Sequence, residues 1–229
     1  NLIQRKLGDD PRGQAIVMGI LSNVFRQESD GTHQSLSGKP VIISYLLELI
    51  EELKTDDAIK QPRPVELTEF AIYKMIVDRL MIRDFRRSPT LNPERRRSAL
   101  QRLAVVLSQR DTPSATEEDF FSIIDDVFKP ELLRQVGEEK RSYRDQLFQD
   151  LRSSATLTRH ESIGGNPSGS WRFSHNSLRE YLVVERIISS LQIESAFRHQ
   201  VSVSDVMRQF FAARQPKAVE ASLAKIKQF

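Results

Sequence analysis

The residues of this sequence that could act as nucleophiles, general bases or metal ligands do not stand at the spacings that such chemistry needs. The histidines are His33, His160, His175 and His199. None of them are four residues apart, as zinc ligands on a helix are, and no Gly-x-Ser-x-Gly sequence marks a nucleophilic serine. The adjacent carboxylates Asp56–Asp57 and Asp125–Asp126 point in different directions, so we interpret them as solvated or capping residues. The sequence therefore predicts no metal site and no complete active site.

The glycine-rich stretch at 164–169 does not form a phosphate-binding P-loop. A P-loop reads Gly-x-x-x-x-Gly-Lys followed by Ser or Thr, and its lysine reaches the β- and γ-phosphates. Gly164 and Gly169 have the right separation, but Ser170 occupies the position of the lysine. Since phosphoryl transfer needs that positive charge and Mg²⁺ ligands, we expect that this chain is not an enzyme by itself.

The segment that starts at Trp171 predicts a strand that leads directly into a helix. Trp171 and Phe173 alternate with polar residues, as in a half-buried strand. After His175 the period changes, and apolar residues recur at three- and four-residue steps, as in a helix. Those residues are Leu178, Tyr181, Leu182, Ile188 and Leu191. A further alternating stretch at 155–161 stands before the glycine-rich loop, so we predict a β-hairpin over 155–174.

His175 stands at this junction, where an anion would be favoured. Ser177 and Glu180 form a capping-box pattern, which predicts that the helix starts at 176–177. Free N–H groups and the helix dipole at such a terminus attract negative charge. The two-residue period of the strand directs His175 to the same inner face as Phe173. The alternative, an imidazole that only bonds a local carbonyl, stays open.

Helices account for most of the remaining pattern. Asp10-Pro11 predicts a helix start, an apolar helix follows Gly38-Lys39-Pro40, and a longer helix is predicted from about Thr68. Further helices are predicted at 94–109, 116–128, 138–152 and 177–192, then from Ser204 and from Lys217 to Ile226. Three helices and a two-stranded hairpin follow the order of a winged helix. The fold class that we predict is mainly α, with a helical domain followed by a winged-helix domain that has a short β-hairpin wing.

The predicted domain boundaries follow from these elements. They are a helical domain at 1–66, a linking helix at 67–89, a winged-helix domain at 90–192 and the start of a second helical domain at 193–229. With 229 residues, 39% of them hydrophobic, the chain can bury the cores that this division requires.

Composition narrows the class of protein further. Cysteine is absent, which excludes disulfides and thiolate metal sites and fits a cytoplasmic location. No apolar run approaches the roughly 20 residues that span a bilayer, and no signal-peptide pattern occurs. The net charge of +3 is too small to indicate nucleic acid by itself. Because the chain begins at Asn1 and not at Met, we expect it to be part of a longer protein.

The strand-to-helix segment resembles the signature that closes the winged-helix domain of NACHT-type STAND ATPases, the group that contains the NOD-like receptors and many bacterial defence proteins. That signature reads Phe-x-His, then Ser or Thr, then Glu with Tyr or Phe, and an aliphatic residue. The matching residues are Phe173, His175, Ser177, Glu180, Tyr181 and Leu182. Gly38-Lys39-Pro40 before an apolar helix is similar to the Gly-x-Pro motif of the family's first helical domain, and the order of the domains also agrees.

The resemblance implies a regulatory module that closes over ADP or ATP and acts as a nucleotide-dependent oligomerisation switch in immune or anti-phage defence. The nucleotide would be held mainly by an upstream P-loop domain of the same polypeptide, and not tightly by this chain alone. His175 would touch the β-phosphate of ADP, and Gly38 and Pro40 would belong to the same binding set. Pro40 has two open interpretations, an apolar plate against adenine or a proline of the first helical turn.

Two competing classes are a freestanding winged-helix DNA-binding regulator and a purely structural helical scaffold. Positive charge is concentrated between residues 83 and 102, at Arg83, Arg86, Arg87, Arg95, Arg96, Arg97 and Arg102. Such a run is either a solvated face or a set of phosphate contacts. However, the predicted recognition helix at 138–152 carries balanced charge, so nucleic acid is not the partner that we expect.

Overall fold

The computed structural model describes residues 2–28, 40–48, 50, 69–110, 114–160, 169–192 and 205–214. Within them the chain is mainly helical, with a small antiparallel sheet of two strands, which confirms the mainly α class. Gly38, residues 161–168 and the predicted helix at 217–226 lie outside the described residues.

The elements fall in a simple order along the chain. The helices are α1 (Leu2–Leu7), α2 (Pro11–Glu28), α3 (Pro40–Glu48), α4 (Glu69–Arg87), α5 (Pro93–Ser108), α6 (Glu117–Val127), α7 (Lys129–Leu132), α8 (Gly137–Arg152), α9 (Asn176–Gln192) and α10 (Asp205–Arg214). The strands β1 (Leu157–His160) and β2 (Ser170–Phe173) lie between α8 and α9. The chain divides into two compact units, Asn1–Arg79 and Leu80–Phe229, and the boundary falls within α4.

In the first unit, local capping decides where α2 begins. The N–H of Gly13 donates to Asp10 Oδ1 over 3.0 Å, so Asp10 caps the helix as predicted. Helices α1, α2 and α3 contact one another, with Val17 fully buried. Helix α3 buries Tyr45 and Leu46 and exposes Ser44 and Glu48. It is therefore less uniformly buried than its apolar sequence predicts.

In the second unit, two helix starts have side-chain caps that the sequence predicts. The N–H of Arg95 donates to Asn92 Oδ1 over 2.8 Å at the start of α5. Thr116 and Asp119 form a capping box at the start of α6. Helix α6 ends at Val127, one residue before its predicted end at 128, and Pro130 fits the first turn of the short helix α7 that follows.

An aromatic cluster forms the core beneath the sheet. The rings of Phe120, Phe148 and Trp171 meet edge to face, with centroids 5.5 to 5.7 Å apart. They come from α6, α8 and β2 respectively, so one cluster joins the helices to the sheet. All three side chains are buried, as the alternation of the predicted strand indicates for Trp171.

The sheet has a pairing that the sequence did not predict. Strands β1 and β2 pair in the register Leu157 opposite Phe173. On the other edge of β2, Ala115 pairs with Trp171 through two backbone hydrogen bonds of 2.6 and 2.9 Å. A single residue between α5 and α6 thus adds a short third segment to the hairpin.

The run of arginines is a solvated face only in part, because Arg86 and Arg87 are exposed at the end of α4 whereas the arginines of α5 pair with acidic residues. Arg96 is 1% exposed, and its Nη2 lies 2.7 Å from Asp150 Oδ1. The other pairs are Arg95 with Glu131, Arg97 with Glu185 and Arg102 with Asp126. These arginines are engaged by acidic residues of the same unit, because α5 is surrounded by α6, α7, α8 and α9.

Candidate functional site

The junction between β2 and α9 is a two-residue bend. Strand β2 ends at Phe173 and α9 begins at Asn176, so Ser174 and His175 lie between them. The carbonyl of His175 accepts the N–H groups of Leu178 and Arg179, at 3.2 and 3.4 Å. His175 therefore directly precedes the first helical residue, and the predicted start of this helix is confirmed.

The capping-box pattern predicts the start of α9 correctly, but Ser177 is not its N-cap residue. Ser177 lies inside the first turn of α9, two residues beyond the N-cap position, which His175 occupies. The carbonyl of His175 accepts the first helical hydrogen bonds, as the carbonyl of an N-cap residue does.

The prediction that His175 faces inward with Phe173 is wrong. Phe173 is buried, whereas His175 is exposed. The strand ends before His175, and the chain bends at Ser174, so the two-residue period does not extend to the histidine. Partial removal of water from the imidazole nevertheless lowers the pKa of His175 below its ordinary value of 6.5, which favours the neutral ring at pH 7.

Ser174 anchors the bend to the opposite side of the hairpin. Its N–H donates to the carbonyl oxygen of Thr156 over 2.8 Å, and its Oγ donates to the same oxygen over 3.1 Å. Thr156 is completely buried, so the bend is tied to a fixed point in the core. No short sequence pattern predicts this anchor, because the two residues are joined only after the hairpin closes.

Arg179 is a second candidate that the sequence did not single out. It stands four residues after His175, which is about one helical turn. Its Nε is buried and has no hydrogen-bond partner among the described residues. The start of α9 thus carries an imidazole whose lowered pKa favours the neutral form, the N-terminal end of a helix and the positive charge of Arg179. This set can attract an oxyanion and donate hydrogen bonds to it.

The two remaining candidates are only partly described. Pro40 is the first residue of α3, the position that suits a proline of the first turn. Its ring and Gly38 lie outside the described residues, so the contact with adenine stays a prediction.

The described residues also bear on metal binding and on membrane crossing. They contain no group of three or more His, Asp or Glu side chains arranged to hold a metal ion. None of their helices is both long enough and apolar enough to cross a bilayer.

Comparison with known proteins adds no family to this description. No protein-family model matches the chain, and no match is found among curated proteins or among solved structures.

Proposed function

We propose that this chain is the helical and winged-helix regulatory module of a NACHT-type signalling ATPase. The order of α5, the Ala115 segment, α6, α8 and the β1–β2 hairpin agrees with the order expected for a winged helix with a short first strand. The signature residues from Phe173 to Leu182 fall on the end of β2, the bend and the first turns of α9. Both features support the family resemblance of the sequence.

The observation that carries the proposal is the exposure of His175 at the start of α9. A histidine that only completed the core would be buried, and this one is exposed beside a helix N-terminus. As a neutral imidazole it donates one N–H, and the helix dipole adds an attraction for negative charge. We assign it to the β-phosphate of an ADP held by an upstream P-loop domain. Arg179 adds the positive charge of a guanidinium one turn further on.

In this function the bound nucleotide controls a hinge motion of the winged helix in a cytoplasmic protein. With ADP bound, the phosphate contact at His175 holds the winged helix closed against the nucleotide-binding domain. Exchange for ATP removes or rearranges that contact, and the winged helix swings away and permits self-association. The chain supplies binding and positioning, while the upstream domain supplies the P-loop lysine and Mg²⁺ ligands.

The test is the substitution His175→Ala in the full-length protein. Losing one hydrogen bond to a charged group costs about 1.5–3 kcal/mol, which corresponds to at least about a tenfold weaker affinity for ADP. Calorimetry with ADP measures this directly, and basal signalling should rise. His160→Ala is a matched control, because it removes an imidazole from the neighbouring strand β1. Equal ADP affinities for the folded His175→Ala variant and the parent would refute the assignment.

A further inference from the structure

A line of buried polar side chains connects the bend at His175 with the last turns of α4. Thr156 holds Ser174 through its carbonyl, and its Oγ1 lies 3.0 Å from Ser154 Oγ. Ser154 Oγ donates to Asp84 Oδ2 over 2.7 Å. The N–H of Ala155 donates to the same oxygen over 3.1 Å. Thr156, Ser154 and Asp84 are each at most 3% exposed, so water does not replace these bonds when they break.

Asp84 is fixed on its other side by the buried ion pair of α5 and α8. Arg96 Nη1 lies 3.7 Å from Asp84 Oδ2, and Arg96 Nη2 donates to Asp150 Oδ1 over 2.7 Å. Asp150 Oδ2 also accepts the N–H of Leu91 over 3.0 Å. The carboxylate of Asp84 therefore lies between the guanidinium of Arg96 and the turn at 154–156. Few other positions of this carboxylate would allow both contacts.

The polar character of this line needs an explanation beyond stability. A buried ionic cluster often contributes no more than well-packed apolar residues of similar volume would. In such a cluster the position of each polar side chain depends on that of its neighbour. Breaking one hydrogen bond leaves a buried donor or acceptor without a partner, which costs free energy. Here the dependence runs from a helix to the bend that carries the candidate phosphate contact.

We propose that Asp84, Ser154 and Thr156 are positioning residues for His175, which link the placement of the imidazole to the placement of the last turns of α4. When α4 shifts against the hairpin, Asp84 withdraws its acceptor from Ser154 and from the N–H of Ala155. The turn at 154–156 then relaxes, and Ser174 loses its fixed partner. The effect of this link on nucleotide affinity rests on the function proposed above, whereas the link itself does not.

The link is tested on the 229-residue chain without nucleotide, by following the His175 ring resonances in an NMR pH titration. Ser154→Ala and Thr156→Val each remove one member of the line, and Asp84→Asn changes its end. Each should shift the ring resonances and raise the pKa of His175 toward the ordinary histidine value, because a looser bend admits water to the imidazole.

Asp125→Asn is the matched control for these variants. Asp125 also belongs to the second unit and pairs with Arg144 over 2.6 Å, but its pair joins α6 to α8 at the surface. It should leave the His175 titration unchanged.

Folded Ser154→Ala and Thr156→Val variants with the parent's ring resonances and titration curve would overturn the proposal. Those two variants decide the question if Asp84→Asn does not fold. A similar shift in Asp125→Asn would also overturn it, since the response would then be general to the unit.

A second measurement separates the link from the proposed function. In the full-length protein, Ser154→Ala should weaken ADP binding, by a smaller factor than His175→Ala. If the His175 titration responds in the isolated chain while His175→Ala leaves ADP affinity unchanged, the positioning link stands and the nucleotide assignment fails. If only His175→Ala lowers ADP affinity and none of the variants of the line changes the His175 titration, the nucleotide assignment stands and the positioning link fails.

Discussion

Asp119 shows at the scale of one residue how a carboxylate can join two elements. It accepts hydrogen bonds from Arg110 Nη1 and Nη2, at 2.8 and 2.6 Å, and from the N–H of Thr116 at 2.9 Å. Burial by itself would raise the pKa of Asp119, but the bonds from Arg110 and Thr116 outweigh it and hold the pKa below 3.8. The cap of α6 and the end of α5 thus depend on one ionised group.

We expect Asp119→Asn to lower the free energy of unfolding by about 1–2 kcal/mol at pH 7, because the capping box and the pairing with Arg110 both weaken. The folded-state pKa lies below the unfolded one, so this stabilisation is present above the unfolded value. It is lost as pH falls through the folded value. Denaturant unfolding of both proteins at neutral and at strongly acid pH checks this.

The control for this prediction is Asp126→Asn, which removes a carboxylate that is 59% exposed and pairs with Arg102. An exposed pair contributes about 0–1 kcal/mol. A constant difference between parent and Asp119→Asn from neutral to strongly acid pH would contradict the role assigned to the ionised form.

At the scale of an element, α2 contains two glycines in different surroundings. A Cβ added at Gly13 would overlap Asp10 Oδ2, the capping carboxylate, and would lie 3.2 Å from Ile50 Cγ1. A Cβ at Gly19 would meet no atom within 4 Å. The same substitution should therefore have opposite effects at the two positions.

Gly19→Ala should stabilise the protein by about 0.5–1 kcal/mol, the usual gain when alanine replaces glycine inside a helix. Gly13→Ala should destabilise it by up to about 1 kcal/mol, because displacing the cap offsets that gain. Thermal or denaturant unfolding of the two variants beside the parent measures the difference. Equal stabilisation by both would show that Asp10 can move away without loss.

The helix starts could be predicted from the sequence because caps are local. Asn92 and Thr116 each receive a backbone hydrogen bond from a residue three positions later, so the signal is contained in four consecutive residues. The pairing of Ala115 with Trp171 and the bond from Ser174 to Thr156 bring distant positions together, and no short pattern encodes them.

At the candidate site, too, the sequence predicts the location of the element junction but not the direction of the side chain. The change of period around His175 located the junction, but the direction of its side chain depends on where β2 ends. That point is fixed by pairing and by the anchor at Thr156, which only the folded hairpin contains. Arg179 carried no motif of its own, and only its burial without a partner identifies it.

At the scale of the whole molecule, charge is largely neutralised within the second unit. Arg95, Arg96, Arg97 and Arg102 pair with acidic residues of that unit. The first turn of α8, the helix that would enter the major groove of DNA in a winged-helix regulator, is acidic, with Glu138 and Glu139. Duplex DNA would therefore meet exposed Lys140 and Arg141 on this helix beside the carboxylates of its first turn, a balanced charge that suits a polyanion poorly.

We expect binding to duplex DNA to be weak, independent of sequence and lost as salt rises, with a dissociation constant of about 10⁻⁴ M or weaker at physiological salt. A gel-shift series over salt concentrations with two unrelated duplexes measures it. Arg86 and Arg87 are exposed at the end of α4, and replacing both by alanine should reduce the residual binding. Tight, sequence-selective retention would instead support the DNA-binding regulator.

Trp171 is the chain's one tryptophan, and its position gives the protein a built-in optical reporter. It is 3% exposed, lies among Phe120 and Phe148 and has the guanidinium of Arg152 5.9 Å from its ring centroid. Its fluorescence therefore responds to the second unit alone, whereas far-ultraviolet circular dichroism responds to the helices of both units. Fluorescence and dichroism curves that coincide in a denaturant series would mean that the two units unfold as one. Curves that separate would assign a stability to each unit without any label or truncation.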